Sequence, residues 1–186
     1  MRAPVAPYRI ANVDPELLRR PLEFLTVDMF RVRMACFSLD LLAAAPLAEP
    51  PALAHALADF FRSDWPLHLD DMEVRLFPAI RASLLVGDHV DQAMDQLAAE
   101  HARDRAQIGP LLEDIDSLVT RDRGLDEERL AMRATHFGEA QRRHVAWVQN
   151  VILPTAEHRL AEAEARRLAA ALAEARGHRL EDLDGA

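Results

Sequence analysis

Three histidines fall on the predicted inward faces of three different helices: His68, His101 and His144. Imidazole is a common ligand for zinc, iron and copper, and helix bundles build metal sites from side chains on facing helices. One histidine on an apolar face is more often a hydrogen-bonded core residue than a ligand. Three converging histidines are harder to explain as core residues, because each buried ring needs hydrogen-bond partners for its two nitrogens. The pattern therefore predicts one shared central site and favours metal binding there.

Two carboxylates are placed to complete such a site. Asp104 lies one turn after His101 on the same face, and Glu73 lies five residues after His68, where a shift of one position near a bend would turn it inward. Three histidines with either acid would suit one divalent ion such as Zn²⁺, Fe²⁺ or Mn²⁺. Alternatively, Asp104 is not a ligand and instead forms an ion pair with an arginine. The candidate partners are Arg31, Arg105 and Arg142.

Two methionines, Met29 and Met72, lie at the level of the histidines. Thioethers beside imidazoles suit Cu(I), and a widened apolar cavity would suit a haem or a small apolar ligand. The alternative, which we favour, is that the methionines fill the core, because their unbranched side chains pack adaptably. Asp28 precedes Met29 but lies off the apolar stripe, so we expect it to face away from the site.

An internal repeat organises the chain around these residues. His68 is followed ten positions later by Pro78, and His144 is followed ten positions later by Pro154; an apolar pair precedes each proline. The two copies lie 76 positions apart. In a helical chain, such a duplication predicts two helical hairpins packed against each other, with the repeated histidines facing one volume.

The composition predicts an all-α fold. Alanine and leucine are abundant, glycine is scarce, and only 5% of the residues are aromatic. Apolar residues at 3-4-3-4 spacing predict four amphipathic helices, which is the pattern of a bundle. The expected architecture is an up-down-up-down four-helix bundle with an additional C-terminal helix.

The predicted boundaries follow from prolines, glycines and cap residues. The first helix begins after Pro21 and ends near Ala45. The second starts near Ala52, ends before Gly87, and is kinked or restarted at Pro66 with Ser63 or Asp64 as its cap. The third bends at Gly109 and Pro110, and the fourth follows Asp126 and ends or kinks at Pro154. The resulting organisation is an irregular leader over 1–21, the bundle over 22–155, an exposed fifth helix over 156–177 and a disordered acidic tail over 178–186.

Charge and composition exclude several function classes. The 22 basic residues are all arginine and face 31 acids, so the net charge of −9 argues against nucleic acid or an anionic membrane as the main partner. A single cysteine, Cys36, excludes an internal disulfide and is expected to be a small core residue. Without a predicted signal peptide or membrane span, we expect a soluble, cytoplasmic monomer or homodimer.

The chain from about Pro21 to Leu160 resembles the hemerythrin-like domains, the HHE cation-binding family. The resemblance is carried by FLTVDMFRVR, LHLDDMEVRLFP, LAAEHARDR and RRHVAWVQNVILP, in the family's order and spacing. It implies an up-down four-helix bundle around a non-haem di-iron centre. It also implies iron as the cofactor and oxygen binding, oxygen or iron sensing, or peroxide handling as the role.

The family's ligand pattern, H…HxxxE…H…HxxxE, is only half retained. His68, His101 and His144 stand at ligand positions, whereas Met29, Met72 and Val148 replace the first histidine and the two bridging glutamates. Bridging carboxylates hold two mutually repelling cations together, so a di-iron centre is not expected here. Two hypotheses remain: an altered, mononuclear three-histidine site, and a metal-free bundle that serves as a ligand-binding or protein-interaction module.

Overall fold

The computed structural model describes residues 10–47 and 51–183, and this part of the chain is helical without strands. We number five helices. They are α1 (Pro21–Ala44), α2 (51–83), α3 (Asp91–Val119), α4 (127–159) and α5 (Glu162–Glu174). Short 3₁₀ turns at Pro15–Arg19 and Leu180–Leu183 flank them. The all-α prediction is confirmed.

The helices α2 and α4 contain π-helical segments, and each segment ends two residues before a proline. The segments and prolines are Phe60–Asp64 before Pro66, Asp71–Leu76 before Pro78, and Val148–Ile152 before Pro154. Proline lacks an N–H, and its ring clashes with the carbonyl four residues earlier in a regular helix. A wider π turn, bonded from i to i+5, gives the ring room and lets the helix continue. The residue before each proline donates its N–H five positions back: Trp65 to Phe60, Phe77 to Met72, and Leu153 to Val148.

At two prolines, where the sequence left a kink open as an alternative, the predicted break of the helix is wrong. The second helix does not restart at Pro66, and neither Ser63 nor Asp64 caps a new helix there, because Phe60–Asp64 is itself helical. The fourth helix does not end at Pro154 but continues to Arg159. The fifth helix consequently begins at Glu162 rather than at residue 156, after Leu160 has left the helical conformation.

The first four helices pack in a ring. Helix α1 packs along α4 and also contacts α2, while α3 contacts both α2 and α4. Helix α5 lies outside this ring, against α1, the 3₁₀ turn at Pro15–Arg19 and the π segment Asp71–Leu76. Four buried aromatic side chains form an edge-to-face cluster in the core: Phe60, Phe61, Trp65 and Phe137.

Both ends of the described chain are more ordered than predicted. At the start of the first 3₁₀ turn, Asp14 accepts a hydrogen bond from the Glu16 amide. At the end of the same turn, the Arg19 side chain donates one to the backbone carbonyl of Leu180, in the second 3₁₀ turn. These contacts give structure to parts of the expected leader and tail. The described residues do not include the outermost parts of the predicted leader and tail, 1–9 and 184–186. They also do not include 48–50, in the predicted break after α1. Within the described part, every helix is too short or too polar to span a bilayer.

Candidate metal centre

The three predicted histidines meet in the middle of the bundle. His144, on α4, lies between the other two: its Nε2 is 2.9 Å from Nε2 of His68 on α2, and its Nδ1 is 3.0 Å from Nε2 of His101 on α3. All three side chains are essentially inaccessible to solvent. The predicted convergence of three helices on one site is therefore present in the structure.

A carboxylate closes each end of this row of rings. Oδ2 of Asp28 is 2.7 Å from Nδ1 of His68, and Oε1 of Glu73 is 2.7 Å from Nδ1 of His101. The five residues form one continuous hydrogen-bonded path, Asp28–His68–His144–His101–Glu73, which we call the histidine chain. In both outer rings the carboxylate holds Nδ1, so that Nε2 is the nitrogen presented inward.

The position of Asp28 corrects the expectation that it faces away. It is 2% exposed, and its second oxygen accepts a 3.0 Å hydrogen bond from Arg31. Arg31 also donates to Asp64 and to the backbone carbonyl of Ala11, which lies in the segment that crosses this side of α1. Asp28 lies between Leu25 and Val32 on the buried face of α1, so that face is wider than the apolar stripe alone indicates.

Glu73 is turned toward the histidines as the sequence suggested, although the cause is a π turn rather than a bend. It lies within Asp71–Leu76, where the wider turn displaces side chains from their regular α-helical positions. Its side chain is 25% exposed, and Oε1 also accepts a 2.7 Å hydrogen bond from Arg105. Glu73 therefore connects the buried end of the histidine chain to the protein surface.

Asp104 is buried but lies outside the histidine chain. It accepts a 2.7 Å hydrogen bond from Gln141, whose carbonyl oxygen accepts one from the Trp65 indole. Burial is the main cause that raises its pKa above 3.8, against the hydrogen bond from Gln141. The three arginines proposed as its partners bond to other carboxylates: Arg31 to Asp28 and Asp64, Arg105 to Glu73 and Asp70, and Arg142 to Asp40.

The histidine chain needs one more proton than three neutral imidazoles provide. Its four links each require a proton between two heavy atoms, and each neutral ring carries one. Three rings therefore leave one link without a proton unless a fourth is bound. With both carboxylates ionised, the complete chain holds one shared positive charge between two negative ends.

Burial and neighbouring charges shift the pKa values of several groups at the site. Burial, and then the charge of neighbouring His68 and His101, holds the pKa of His144 well below its usual 6.5. Burial also lowers the pKa of His101 to about 4, although Glu73 opposes the shift. At the other end burial disfavours the Asp28 carboxylate, but its contacts with His68 and Arg31 bring its pKa below 3.8. The His101 and His144 rings are therefore neutral near pH 7, and the Asp28 carboxylate is ionised.

The remaining three family positions are apolar and fully enclosed. Met29, Met72 and Val148 have no measurable exposure. They offer no carboxylate to bridge two cations, so the residues present do not fit a di-iron centre. Cys36 is also buried, as expected of a core residue, and burial raises its thiol pKa to about 11.

The chemistry of the three histidines does suit a single metal ion. Three imidazoles from three helices lie in contact, and the carboxylates on Nδ1 of two of them leave Nε2 as the inward donor atom. In their present arrangement, however, no three His, Cys, Asp or Glu side chains in residues 10–47 and 51–183 are disposed to hold a metal ion. His144 directs a different ring nitrogen to each neighbour, whereas a single ion would bind only one of the two.

Sequence periodicity identified the histidines but missed Asp28. A signal was present: Asp28 and Arg31 are spaced i,i+3 next to the apolar stripe, which is the spacing of an ion pair on one helix face. The π segments had a signal as well, since each precedes a proline inside an otherwise helical pattern.

Comparison with known proteins identifies the family of the chain. A family model described as the hemerythrin HHE cation-binding domain matches residues 30–156, which include the three histidines, Glu73, Met72 and Val148. Asp28 and Met29 precede the matched segment. No curated protein and no solved structure matches the chain.

Proposed function

Because the chain belongs to the hemerythrin HHE cation-binding family, we propose that it binds one divalent metal ion through His68, His101 and His144. By family resemblance the ion is iron, and the role is binding or sensing of iron or oxygen in the cytoplasm. The proposed architecture is the family's up-down-up-down bundle over residues 22–155. The net charge of −9 makes nucleic acid and anionic membranes poor partners.

The observation that supports this proposal is the pairing of each outer histidine with a carboxylate. Metal-binding histidines usually donate their second ring N–H to a carboxylate or carbonyl, which fixes the ring and strengthens the donor nitrogen. Asp28 and Glu73 stand in that relation to His68 and His101, each at 2.7 Å. A metal-free core needs only satisfied rings, whereas this arrangement directs both Nε2 atoms inward.

The chain's own residues limit what the site does. Asp28 and Glu73 orient the outer rings, while Met29, Met72 and Val148 exclude water and supply no second set of ligands. A bound ferrous ion would supply the redox-active centre. Among the described residues no side chain at the site is placed as a nucleophile, so any turnover would rely on the ion, and the role that we propose is binding or sensing.

A second candidate, a metal-free bundle acting as a ligand-binding or protein-interaction module, is favoured by a different observation. Among the described residues, every buried side-chain nitrogen and oxygen has a hydrogen-bond partner. Ligand side chains without their ion would ordinarily leave such atoms unpaired. The buried nitrogens and oxygens of the histidine chain therefore also have hydrogen-bond partners without a metal ion, as a polar core requires.

Thermal unfolding with and without a chelator separates the two. A ligand that binds only the folded state stabilises it by mass action, so the metal proposal predicts that a chelator lowers the Tm of the purified protein. In His101→Ala the chelator should have no further effect, whereas in His158→Ala, an exposed position on the same helix as His144, the full shift should remain. A wild-type Tm that no chelator or added Fe²⁺, Zn²⁺ or Mn²⁺ changes would favour the metal-free candidate.

A further inference from the structure

Helix α1 carries a second apolar stripe, opposite the one that faces the core. Phe30, Met34 and Phe37 are 52%, 50% and 56% exposed, although large apolar side chains are usually buried. Val27 and Leu41, both half-buried, extend the stripe by one step at each end. The five positions follow a 3-4-3-4 spacing along the helix, which is the heptad pattern of a helix–helix interface.

The order of residues along this outer stripe is the same in both directions. From either end it is an aliphatic residue, a phenylalanine, a methionine, a phenylalanine and an aliphatic residue. In an antiparallel pair of such helices, Phe30 faces Phe37, Val27 faces Leu41, and Met34 faces its own counterpart. A two-fold symmetric interface needs a surface that complements itself in this way.

Charges beside the stripe agree with the antiparallel arrangement. Arg33 and Asp40 lie seven residues apart on the same flank, and Asp40 also pairs with Arg142 of α4. A two-fold axis across the helices keeps this flank on the same side in both copies and reverses its direction. The Arg33 end of one copy then lies toward the Asp40 end of the other, so opposite charges approach each other.

We infer that the outer stripe of α1 is a homodimer interface, formed by antiparallel packing of α1 against α1 of a second copy about Met34. The three exposed side chains offer roughly 300 Å² of apolar surface, since an aromatic side chain alone covers 150–250 Å² when fully buried. With its flanks the stripe stays below the roughly 800 Å² per partner of a standard interface. The dimer is accordingly a reversible one that depends on chain concentration.

Sedimentation velocity over micromolar to millimolar chain concentrations tests the dimer. The wild type should shift from monomer to dimer, Phe37→Glu should remain monomeric, and Met132→Glu should behave as the wild type. Met132 is a matched control because it is 64% exposed on α4, away from the stripe. A wild-type protein that stays monomeric at every concentration overturns the inference, as does a dimer that Phe37→Glu leaves intact.

Disulfide trapping in a Cys36→Ala background tests the geometry. A disulfide requires Cα atoms within about 7 Å, and Met34→Cys should form one with its counterpart on mild oxidation. Phe30→Cys alone should not, because its counterpart lies about 10 Å further along the helix at 1.5 Å per residue. An equimolar mixture of Phe30→Cys and Phe37→Cys should give the crossed dimer. Efficient self-linking of Phe30→Cys would indicate a parallel pair and overturn the antiparallel arrangement.

Discussion

Asp28 and His68 are joined across two helices by a 2.7 Å contact between a carboxylate oxygen and Nδ1, with both side chains at most 2% exposed. This contact fixes which nitrogen of His68 points at His144. The proposed metal centre therefore depends on an acid that lies outside the segment matched by the family model.

Replacing that acid should weaken metal binding without removing a ligand. Asp28→Asn keeps the size of the side chain but loses the charge that orients the ring, and loss of such a partner typically costs 10–100-fold in affinity. Competition with a chromophoric chelator measures the change. Asp40→Asn, which alters a surface ion pair of the same helix, should leave the affinity unchanged. Equal affinities for Asp28→Asn and the wild type would contradict the orienting role.

Metal binding should release about one proton per ion if all four links of the metal-free chain carry a proton. Such a chain holds four protons, whereas three neutral rings that bind an ion through one nitrogen each retain three. Titration calorimetry in buffers of different ionisation enthalpy gives the number. A value near zero would show that the four-proton chain is absent before binding.

Arg176, which lies two residues after the end of helix α5, should contribute to the stability of the fold through one ion pair. Arg176 donates to Asp71, which is fully buried at the start of the second π segment, and its guanidinium stacks on the Phe24 ring at 4.4 Å. Removing one partner of a buried pair costs 3–5 kcal/mol. We expect Arg176→Met to lower the free energy of unfolding by about 3 kcal/mol, because Arg75 still contacts Asp71.

Urea unfolding measures this loss, and the double variant Arg176→Met/Asp71→Leu provides the control. Removing both charges leaves no unpaired carboxylate in the core, so the double variant should be more stable than Arg176→Met alone. A double variant as unstable as the single one would mean that packing by Arg176, and not its charge, holds α5 in place.

The acid sensitivity of the fold should depend in part on Asp114. Burial disfavours its charge, but hydrogen bonds from Arg129 and Arg133 bring its pKa below 3.8. A carboxyl group whose folded-state pKa is below its unfolded value adds stability above the unfolded pKa, and this is lost as the pH falls through the folded pKa. Asp114→Asn should therefore be less stable at pH 7 and lose less stability on acidification below about pH 4, the unfolded pKa of Asp. Urea unfolding across this range would contradict the assignment if both proteins lost equal amounts.

Helical periodicity was sufficient to predict the core of this site. His68, His101 and His144 lie on seams of apolar residues repeated at 3.6-residue spacing, and nothing in the tertiary structure displaces those seams at the level of the rings. The all-α class followed from composition for the same reason, since local preferences and burial agree along most of the chain.

Features set by non-local contacts were not predictable in this way. Asp28 is a polar residue on the buried face of α1, so a pattern of apolar residues passes over it, and its partner His68 lies on another helix. Pro66 and Pro154 are ordinarily helix breakers, but a π turn before each one keeps the helix continuous. A π turn also precedes Pro78 and brings Glu73 to His101. The wrongly predicted helix ends and the contact between Glu73 and His101 therefore have the same physical cause.

The metal content per chain tests the central claim most directly. Protein purified without an affinity tag or added metal should contain about one ion per chain by elemental analysis, and His101→Ala should contain almost none. The variant Met29→His/Met72→Glu/Val148→Glu, which restores the family's ligand pattern, should hold two. Wild-type protein that contains no metal, remains folded and takes up none from Fe²⁺, Zn²⁺ or Mn²⁺ would contradict the three-histidine metal centre.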